Sequence, residues 1–182
     1  LWQRFRHALN RNTKFGARRN IRAHYDLGNA FYAAWLDLGM TYSAGLFAPG
    51  DDNLESAQER KYRRLAEALD LGPDHHVLEI GCGWGGFADY AARRYGCRVT
   101  GLTISREQRD FACGRIAADG LSDRVDIALR DYRDERGIYD RIVSIEMFEA
   151  VGEAYWPVYF SQLRDRLRPG GIAGLQAITI RE

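Results

Sequence analysis

The sequence lacks the residue groupings on which disulfide-bonded and zinc-binding proteins depend. Its three cysteines, Cys82, Cys97 and Cys113, are scattered along the chain, and its four histidines show no metal-ligand spacing. Neither a disulfide framework nor a zinc site is indicated, and we predict no metal site. A reducing compartment, the cytoplasm, is the expected location.

A long apolar run is also absent from the sequence. No stretch approaches the length of a membrane span, and no apolar segment suited to a secretory signal is found. The net charge is +1 over 182 residues, so acidic and basic side chains nearly balance. These features are typical of one globular domain, with no repeats and no low-complexity linker.

Positive charge is concentrated at the start of the chain. Seven basic residues precede the first acid, Asp26, and they are Arg4, Arg6, Arg11, Lys14, Arg18, Arg19 and Arg22. Trp2, Phe5 and Leu9 fall between them at helical spacing. Such an arm is expected either to lie on an anionic lipid surface as a peripheral membrane contact or to pack its apolar stripe on the domain. We weight these two alternatives equally. Contact with nucleic acid is not expected.

The glycine-rich stretch at residues 77–86 carries the strongest signal. A short apolar run ends in glycines and helical spacing follows, which predicts a buried strand, a tight turn and a helix N-terminus. Gly81, Gly83 and Gly86 have G-x-G-x-x-G spacing, typical of nucleotide-binding turns. Glu79 is an acid inside the apolar strand, and a buried carboxylate needs a partner. It suits a nucleoside ligand that ends in a cationic amino acid.

The end of the next strand argues against a nicotinamide cofactor. Such a site places an acid there for the ribose hydroxyls, whereas this chain has Thr103, Ile104 and Ser105.

Strands alternate with helices along the rest of the chain. We predict strands over residues 77–80, 98–104, 125–129, 141–145 and 172–180. Helices are predicted after a capping box at Asp52, over residues 86–95, from Ser105 to about Gly120, and over residues 153–167. The last helix is expected to bury Trp156, Tyr159, Phe160, Leu163 and Leu167. This order predicts an α/β fold with a doubly wound, mostly parallel, Rossmann-like sheet.

The chain is expected to have two parts. Residues 1–52 form the basic arm and an aromatic-rich helical lid, and residues 53–182 form the core. We expect the sheet to lack further C-terminal strands. Ligands in such sheets lie beyond the carboxyl ends of the strands, so the candidate site residues are 81–85, 103–108, 131–132 and 146–149.

Several motifs in one order resemble those of the cyclopropane-fatty-acyl-phospholipid synthase family, which includes the mycolic acid cyclopropane synthases. They are His-Tyr-Asp-Leu-Gly-Asn at 24–29, Met-Thr-Tyr-Ser at 40–43, Glu-Ile-Gly-Cys-Gly-Trp-Gly-Gly at 79–86, Leu-Thr-Ile-Ser-x-x-Gln at 102–108, and Ser-Ile-Glu-Met-Phe-Glu-Ala-Val-Gly at 144–152. The resemblance implies a class I S-adenosylmethionine (SAM) methyltransferase.

The resemblance implies methyl transfer from SAM to a cis double bond of a lipid acyl chain. A carbocation then develops and must be kept from water, which suits an aromatic-rich lid. In the family a bicarbonate ion accepts a proton as the ring closes. A cyclopropane, a methyl branch and a methylene group are all open as products, and the sequence predicts no oligomeric state.

The resemblance also assigns site residues. For the cofactor these are Tyr42, Ser43, Glu79, Gly81, Cys82, Gly83, Thr103, Ile104, Gln108, Asp131 and Tyr132. Glu149 matches the glutamate that holds bicarbonate, with Ile145 and Gln176 beside it, and Tyr25 is a channel or core residue. Asp131 is equally explained as a turn residue. For Glu149 we favour the role in the site over that of a carboxylate at a helix start.

Three positions depart from the family pattern. Ala44 and Gln176 stand where many members have a cysteine and a histidine of the bicarbonate site, and Ala150 stands where they have another histidine. Glutamine can donate a hydrogen bond to an oxyanion but cannot shuttle a proton as histidine does. The bicarbonate site is therefore expected to be altered.

Three other functions compete with lipid methylation. A SAM methyltransferase acting on a small amine or hydroxyl shares the nucleoside pocket, but the aromatic lid and the basic arm argue against it. A lipid-binding module without catalysis would show no turnover of SAM. A nicotinamide oxidoreductase is disfavoured by Thr103.

Overall fold

A computed structural model describes Gly16, residues 28–50 and residues 53–180. The strands are β1 (His76–Ile80), β2 (Arg98–Thr103), β3 (Val125–Leu129), β4 (Tyr139–Ile145) and β5 (Leu167–Gln176). The helices are α1 (Asn29–Ala33), α2 (Leu54–Ala68), α3 (Gly86–Tyr95), α4 (Arg106–Ala118) and α5 (Trp156–Arg166). Short 3-10 turns span Tyr132–Asp134, Phe148–Ala150 and Glu153–Tyr155.

The strands form one sheet in the order β3-β2-β1-β4-β5. Every pairing within it is parallel. The predicted α/β, doubly wound, Rossmann-like sheet is confirmed. The strand order reverses beside β1, which pairs with β2 on one side and β4 on the other. Ligands bind at such a switch point in open parallel sheets.

Helices cover both faces of the sheet. Val77 of β1 packs in one core cluster with Phe87 of α3. Leu78, the next residue, packs in the other cluster with Tyr159 and Leu163 of α5. This alternation follows from the two-residue period of a strand, and burial on both faces explains why the strands are apolar almost throughout.

Local capping fixes where the helices begin and end. Asn53 accepts a hydrogen bond from the Ser56 backbone N–H at 2.8 Å, so Asn53 caps α2. The capping box predicted at Asp52 was wrong by one position, because the side chain of Asn53 provides the acceptor, and Asp52 lies outside the described residues. Ser105 caps α4 as predicted, and Gly96 ends α3 at φ +69°.

The predicted burial of α5 was partly wrong. Tyr159 and Leu163 are buried, whereas Trp156 is 42% and Phe160 48% exposed. The sheet covers only one narrow side of α5, so the apolar stripe is wider than the surface that it packs on. The helix itself begins at Trp156, after a 3-10 turn, and Leu167 already belongs to β5.

The last strand was also predicted in the wrong place. We expected residues 172–180, but β5 ends at Gln176, opposite Ile145 at the end of β4. A strand persists only where its partner offers hydrogen bonds, and Ile178 and Ile180 lie beyond that partner. The register between β4 and β5 also shifts near their starts. Tyr139 pairs with Leu167, but Arg141, two residues later, pairs with Ile172, five residues later.

Residues 28–50 pack on the core beside the glycine turn. Tyr32 and Met40 form a small buried cluster with Trp84. The Trp84 indole N–H donates to Asn29 Oδ1 at 2.8 Å. Arg115 of α4 donates to the carbonyls of Gly39 (2.7 Å) and Leu38 (3.0 Å).

The predicted basic arm lies outside the described residues, and the division into residues 1–52 and 53–182 stays a prediction. In the described part of the chain, no helix is long and apolar enough to cross a membrane.

Candidate active site

A cavity of about 1080 Å3 lies at the carboxyl ends of the strands. The loops after β1, β2, β3 and β4 form its floor, and residues of the 28–50 segment form one wall. Thirteen of the residues predicted for the site line it, and they are Tyr42, Ser43, Glu79, Gly81, Cys82, Gly83, Thr103, Ile104, Gln108, Asp131, Tyr132, Ile145 and Glu149. Gln176 reaches it through Glu146, and Tyr25 lies outside the described residues.

The turn after β1 depends on its glycines. Gly81, Gly83 and Gly85 have φ values of +82°, +54° and +82°. A Cβ built on Gly81 would lie 2.8 Å from the Met147 Cγ, which is closer than van der Waals contact allows. The Gly81 and Cys82 N–H groups donate to the Leu102 carbonyl, which fixes the turn against β2. The backbone can therefore approach a ligand without an intervening side chain.

Glu79 is a buried acid directly before that turn. Its side chain is 3% exposed, and Oε2 has no hydrogen-bond partner within the described residues. Burial raises the pKa of Glu79 to about 8, although the Ala88 N–H and the charge of Lys61 oppose this shift. A cation placed at Oε2 would satisfy the carboxylate and lower its pKa.

Lys61 of α2 is a site residue that sequence analysis missed. It is 4% exposed, and its Nζ donates to Ser43 Oγ at 2.6 Å and to Gln58. Burial lowers the pKa of Lys61 to about 8, against the opposing charges of Glu146, Asp37 and Glu79. The available signal was a charged residue inside the apolar stripe of α2.

The ends of β2 and β3 provide polar groups on the other side of the turn. Thr103 Oγ1 donates to Gln108 Oε1 at 2.9 Å, and both side chains are buried. Asp131 is 3% exposed and accepts two hydrogen bonds from the Arg133 guanidinium, at 2.8 and 2.6 Å, and one from the Arg133 N–H. The structure thus makes Asp131 the cap of a 3-10 turn as well as a cavity residue.

Glu146, at the end of β4, belongs to the candidate stretch 146–149, but sequence analysis assigned it no role. Its Oε1 accepts hydrogen bonds from the Ala44 N–H (2.9 Å) and the Gln176 side chain (2.8 Å). Its φ is +47°, a conformation that side chains disfavour. Glu149, in the following turn, accepts from the Ile178 N–H. Two carboxylates in Ser-Ile-Glu-Met-Phe-Glu were the signal, but a role was assigned to only one.

Aromatic rings of the 28–50 segment form one wall of the cavity. Tyr42 contacts Tyr32 and Trp35 edge to face, with ring centroids 5.4 and 5.6 Å apart. Trp35 and Tyr42 line the cavity while remaining about half exposed, at 50% and 42%. Ring faces are apolar and carry negative electrostatic potential, so this wall accepts hydrocarbon or a cation.

The sheet order and the glycine turn under the cavity define the fold of the class I methyltransferases, which are Rossmann-like enzymes. The comparisons with known proteins then narrow the class. The family described as mycolic acid cyclopropane synthetase matches residues 12–182, and the chain belongs to this family. The resemblance found in the sequence motifs is confirmed.

Individual relatives agree with this assignment. The chain is 47% identical over 171 residues to the tuberculostearic acid methyltransferase UfaA1 of Mycobacterium tuberculosis, with 90% of this chain and 40% of that protein covered. It is 46% identical over 157 residues to the cyclopropane-fatty-acyl-phospholipid synthase of Escherichia coli K12, with 86% and 40% covered. The chain therefore spans about 40% of the length of these curated relatives.

A solved structure supports the same fold. The mycolic acid cyclopropane synthase CmaA1, in complex with SAH and CTAB, superimposes with a TM-score of 0.83 at 32% identity. The match covers 87% of this chain and 55% of that one.

Proposed function

We propose that this chain forms the reaction core of a SAM-dependent methyltransferase that acts on double bonds in the acyl chains of lipids. The observation that carries the proposal is the composition of one cavity. A glycine turn and a buried acid line it together with aromatic and aliphatic side chains. This combination suits a cationic nucleoside and a hydrocarbon together.

The residues beside the glycine turn fit SAM. The buried Oε2 of Glu79 has no partner among the described groups, and the cationic amino group of a methionine moiety would satisfy it. Gly81 provides backbone that no larger residue could replace without meeting Met147. When bound, SAM supplies an electrophilic methyl group.

We assign the remaining cofactor contacts by position around the turn. Tyr42, Ser43 and Gly83 face the methionine end, with Cys82 in the turn between them. The ribose and adenine side is assigned to Thr103, Ile104, Gln108, Asp131 and Tyr132.

The apolar residues of the cavity lining suit an acyl chain. Trp35, Phe47, Met147 and Val151 contribute apolar surface to the cavity. Burial of hydrocarbon there is favourable in proportion to the apolar area removed from water. The names of the relatives point the same way, since they describe enzymes of fatty acids and fatty-acyl phospholipids. CTAB, present in the CmaA1 structure, is a surfactant with a long alkyl chain.

The side chains of the cavity supply the electrostatics that the reaction needs. Methylation of an alkene leaves positive charge on the acyl chain, and an aromatic wall both excludes water and stabilises that charge. The carboxylates of Glu146 and Glu149 line the same cavity, and Glu146 accepts a hydrogen bond from Ala44 of the 28–50 segment, so both would act on that charge. Preorganised negative charge at such a place lowers the barrier.

We further propose that the N-terminal arm brings the protein to the lipid. Seven basic residues between positions 4 and 22 would attract an anionic membrane surface, and Trp2, Phe5 and Leu9 would enter its interface. Peripheral binding would then deliver acyl chains to the cavity.

Mass spectrometry of lipids from bacteria that express the natural full-length protein tests the proposed function. We expect unsaturated acyl chains to gain the mass of one methylene group, while saturated chains and headgroups do not change. Cells that express the Gly81→Ala variant are the control. Methylated small amines with unaltered acyl chains would instead establish an ordinary small-molecule methyltransferase.

A further inference from the structure

Two carboxylates face the same part of the cavity, where the fold family places a bicarbonate ion. Glu146 and Glu149 both line the cavity after β4. The side chain of Gln176 and the backbone of Ala44 occupy the positions of two expected bicarbonate ligands. Both of them donate hydrogen bonds to Glu146 instead, at 2.8 and 2.9 Å.

These residues do not fit a bicarbonate ion. Ala44 has no side-chain donor, and the Gln176 amide already donates to the Glu146 carboxylate and to the Ala44 carbonyl. The Ile178 N–H is used by Glu149. A bicarbonate ion held by Glu149 would also meet the carboxylate of Glu146, whose like charge disfavours it. The donors that could have held bicarbonate are therefore bound to carboxylates of the chain itself.

Glu146 is held more firmly than an ordinary surface acid. Gln176 contacts it twice, because its carbonyl accepts the Glu146 backbone N–H at 2.8 Å and its side chain donates to Oε1. The backbone of Glu146 keeps a φ of +47°, and such backbone strain is concentrated at functional sites. Glu146 is also partly buried, whereas Glu149 is exposed.

Only one oxygen of Glu146 is used by these contacts. Both side-chain hydrogen bonds fall on Oε1, so Oε2 has no hydrogen-bond partner among the described residues. Lys61 lies near enough to interact with Glu146 electrostatically. A carboxylate with one oxygen anchored and one open is suited to accept a proton from a ligand in the cavity.

We propose that Glu146 is the proton acceptor of the reaction and stands in place of bicarbonate. This inference rests on the proposed function. As the alkene is methylated, its π electrons form the new carbon–carbon bond, the bond from sulfur to methyl breaks with its electrons left on sulfur, and the acyl chain becomes a carbocation. For a ring, a C–H bond of the transferred methyl group then breaks and its electrons bond to the cationic carbon. For a double bond, a C–H bond on a carbon next to the cationic carbon breaks instead. In both cases the proton passes to Glu146 Oε2 and on to solvent.

The test measures methyl transfer by the full-length protein to phosphatidylglycerol vesicles with monounsaturated chains. Assays are run in buffer stripped of carbon dioxide and in the same buffer with added bicarbonate. The variant is Glu146→Gln, which keeps the shape and loses the negative charge. The matched control is Glu153→Gln, an exposed acid outside the cavity.

We expect wild-type rates in the two buffers to agree within about twofold. Glu146→Gln should lower kcat roughly 100-fold, the range of a positioned general base, with SAM affinity by calorimetry and thermal unfolding unchanged. Glu153→Gln should resemble wild type. A wild-type rate that collapses without bicarbonate, or full activity in Glu146→Gln, would overturn the inference.

The outcomes separate this inference from the function on which it rests. If the wild-type protein methylates no vesicle lipid, the proposed function fails and the inference fails with it. If it methylates lipid only with bicarbonate, the function stands and the inference alone fails. Should Glu146→Gln fail to fold, the bicarbonate dependence of the wild-type rate decides.

Discussion

At the scale of single residues, Gly81 is the position where a methyl group should do most harm. Its φ is +82°, and a Cβ would meet Met147 at 2.8 Å. We expect Gly81→Ala to lose about 1–3 kcal/mol in the free energy of unfolding, measured in urea. SAM affinity, measured by calorimetry, should fall at least about tenfold, because 1.4 kcal/mol of lost binding corresponds to tenfold.

Gly114 provides the matched control for that substitution. It lies in α4 with no atom near its missing Cβ and without a positive φ. Gly114→Ala should keep SAM affinity and gain up to about 1 kcal/mol, as alanine does in a helix. Equal SAM affinities in the two variants would show that the glycine turn does not contact SAM.

Glu79 makes the stability of the ligand-free protein depend on pH. Its pKa is raised from 4.5 to about 8 in the folded state. The folded protein therefore binds a proton that the unfolded chain releases, and this contribution is complete below about pH 4.5 and lost as pH rises through about 8. We expect the wild type to lose stability relative to Glu79→Gln over this window, as measured by urea unfolding at several pH values.

The same carboxyl predicts proton release when SAM binds. At neutral pH the free Glu79 is largely protonated, and a cationic amino group beside it would lower its pKa. Calorimetry in buffers of different ionisation enthalpy should show this release in the wild type and a smaller one in Glu79→Gln. Identical proton release in both proteins would show that Glu79 does not lie beside the cationic amino group of SAM.

The roles of two residues at the site could not have been found by motif. Lys61 belongs to α2, and only the fold brings it to Ser43 and near Glu146. The role of Glu146 depends on Ala44 and Gln176, which are 102 and 30 positions away in the chain. Local sequence shows that an acid is present after β4, but not which donors it meets.

At the scale of elements, the 28–50 segment forms one wall of the cavity. Arg115 ties it to α4 through the carbonyls of Leu38 and Gly39, and it also donates to the Trp84 carbonyl at 3.2 Å. Arg115→Ala should cost about 1–3 kcal/mol, as lost hydrogen bonds to a charged group do. It should also speed proteolysis within the 28–50 segment and raise the KM for SAM.

Arg109→Ala is the control for that variant. Arg109 lies on the same helix, is exposed and pairs only with the neighbouring Asp110 among the described residues. Such a surface pair contributes little to stability. If the two variants are cleaved at the same rate, Arg115 does not hold the wall.

The elements that sequence predicted well are those that local chemistry defines. The strands β1 to β4 and the helix α3 begin and end close to their predicted positions, because glycines and caps mark their ends. The end of β5 could not be predicted in this way. Residues 172–180 are mostly apolar on both sides of Gln176, yet the strand ends at Gln176, where β4 offers no further partner.

At the scale of the whole molecule, the account joins a cofactor pocket to a membrane surface. We expect the natural full-length protein to bind vesicles of anionic lipid through its arm. Changing Arg18, Arg19 and Arg22 to glutamine should weaken that binding roughly a hundredfold in sedimentation assays, because each charge contributes about 1 kcal/mol. Neutral phosphatidylcholine vesicles are the control. Unchanged vesicle binding with lowered thermal stability would show instead that the arm packs on the domain.

The central claim is that one cavity brings the methyl donor and an acyl double bond together. Incubating the full-length protein with SAM that carries a trideuterated methyl group, and with vesicles of dioleoyl phosphatidylglycerol, tests it directly by mass spectrometry of the released fatty acids. The account predicts deuterium in the oleoyl chains alone, located at the former double bond. Deuterium in headgroups or small amines, or none in the chains while SAM is consumed, would contradict it.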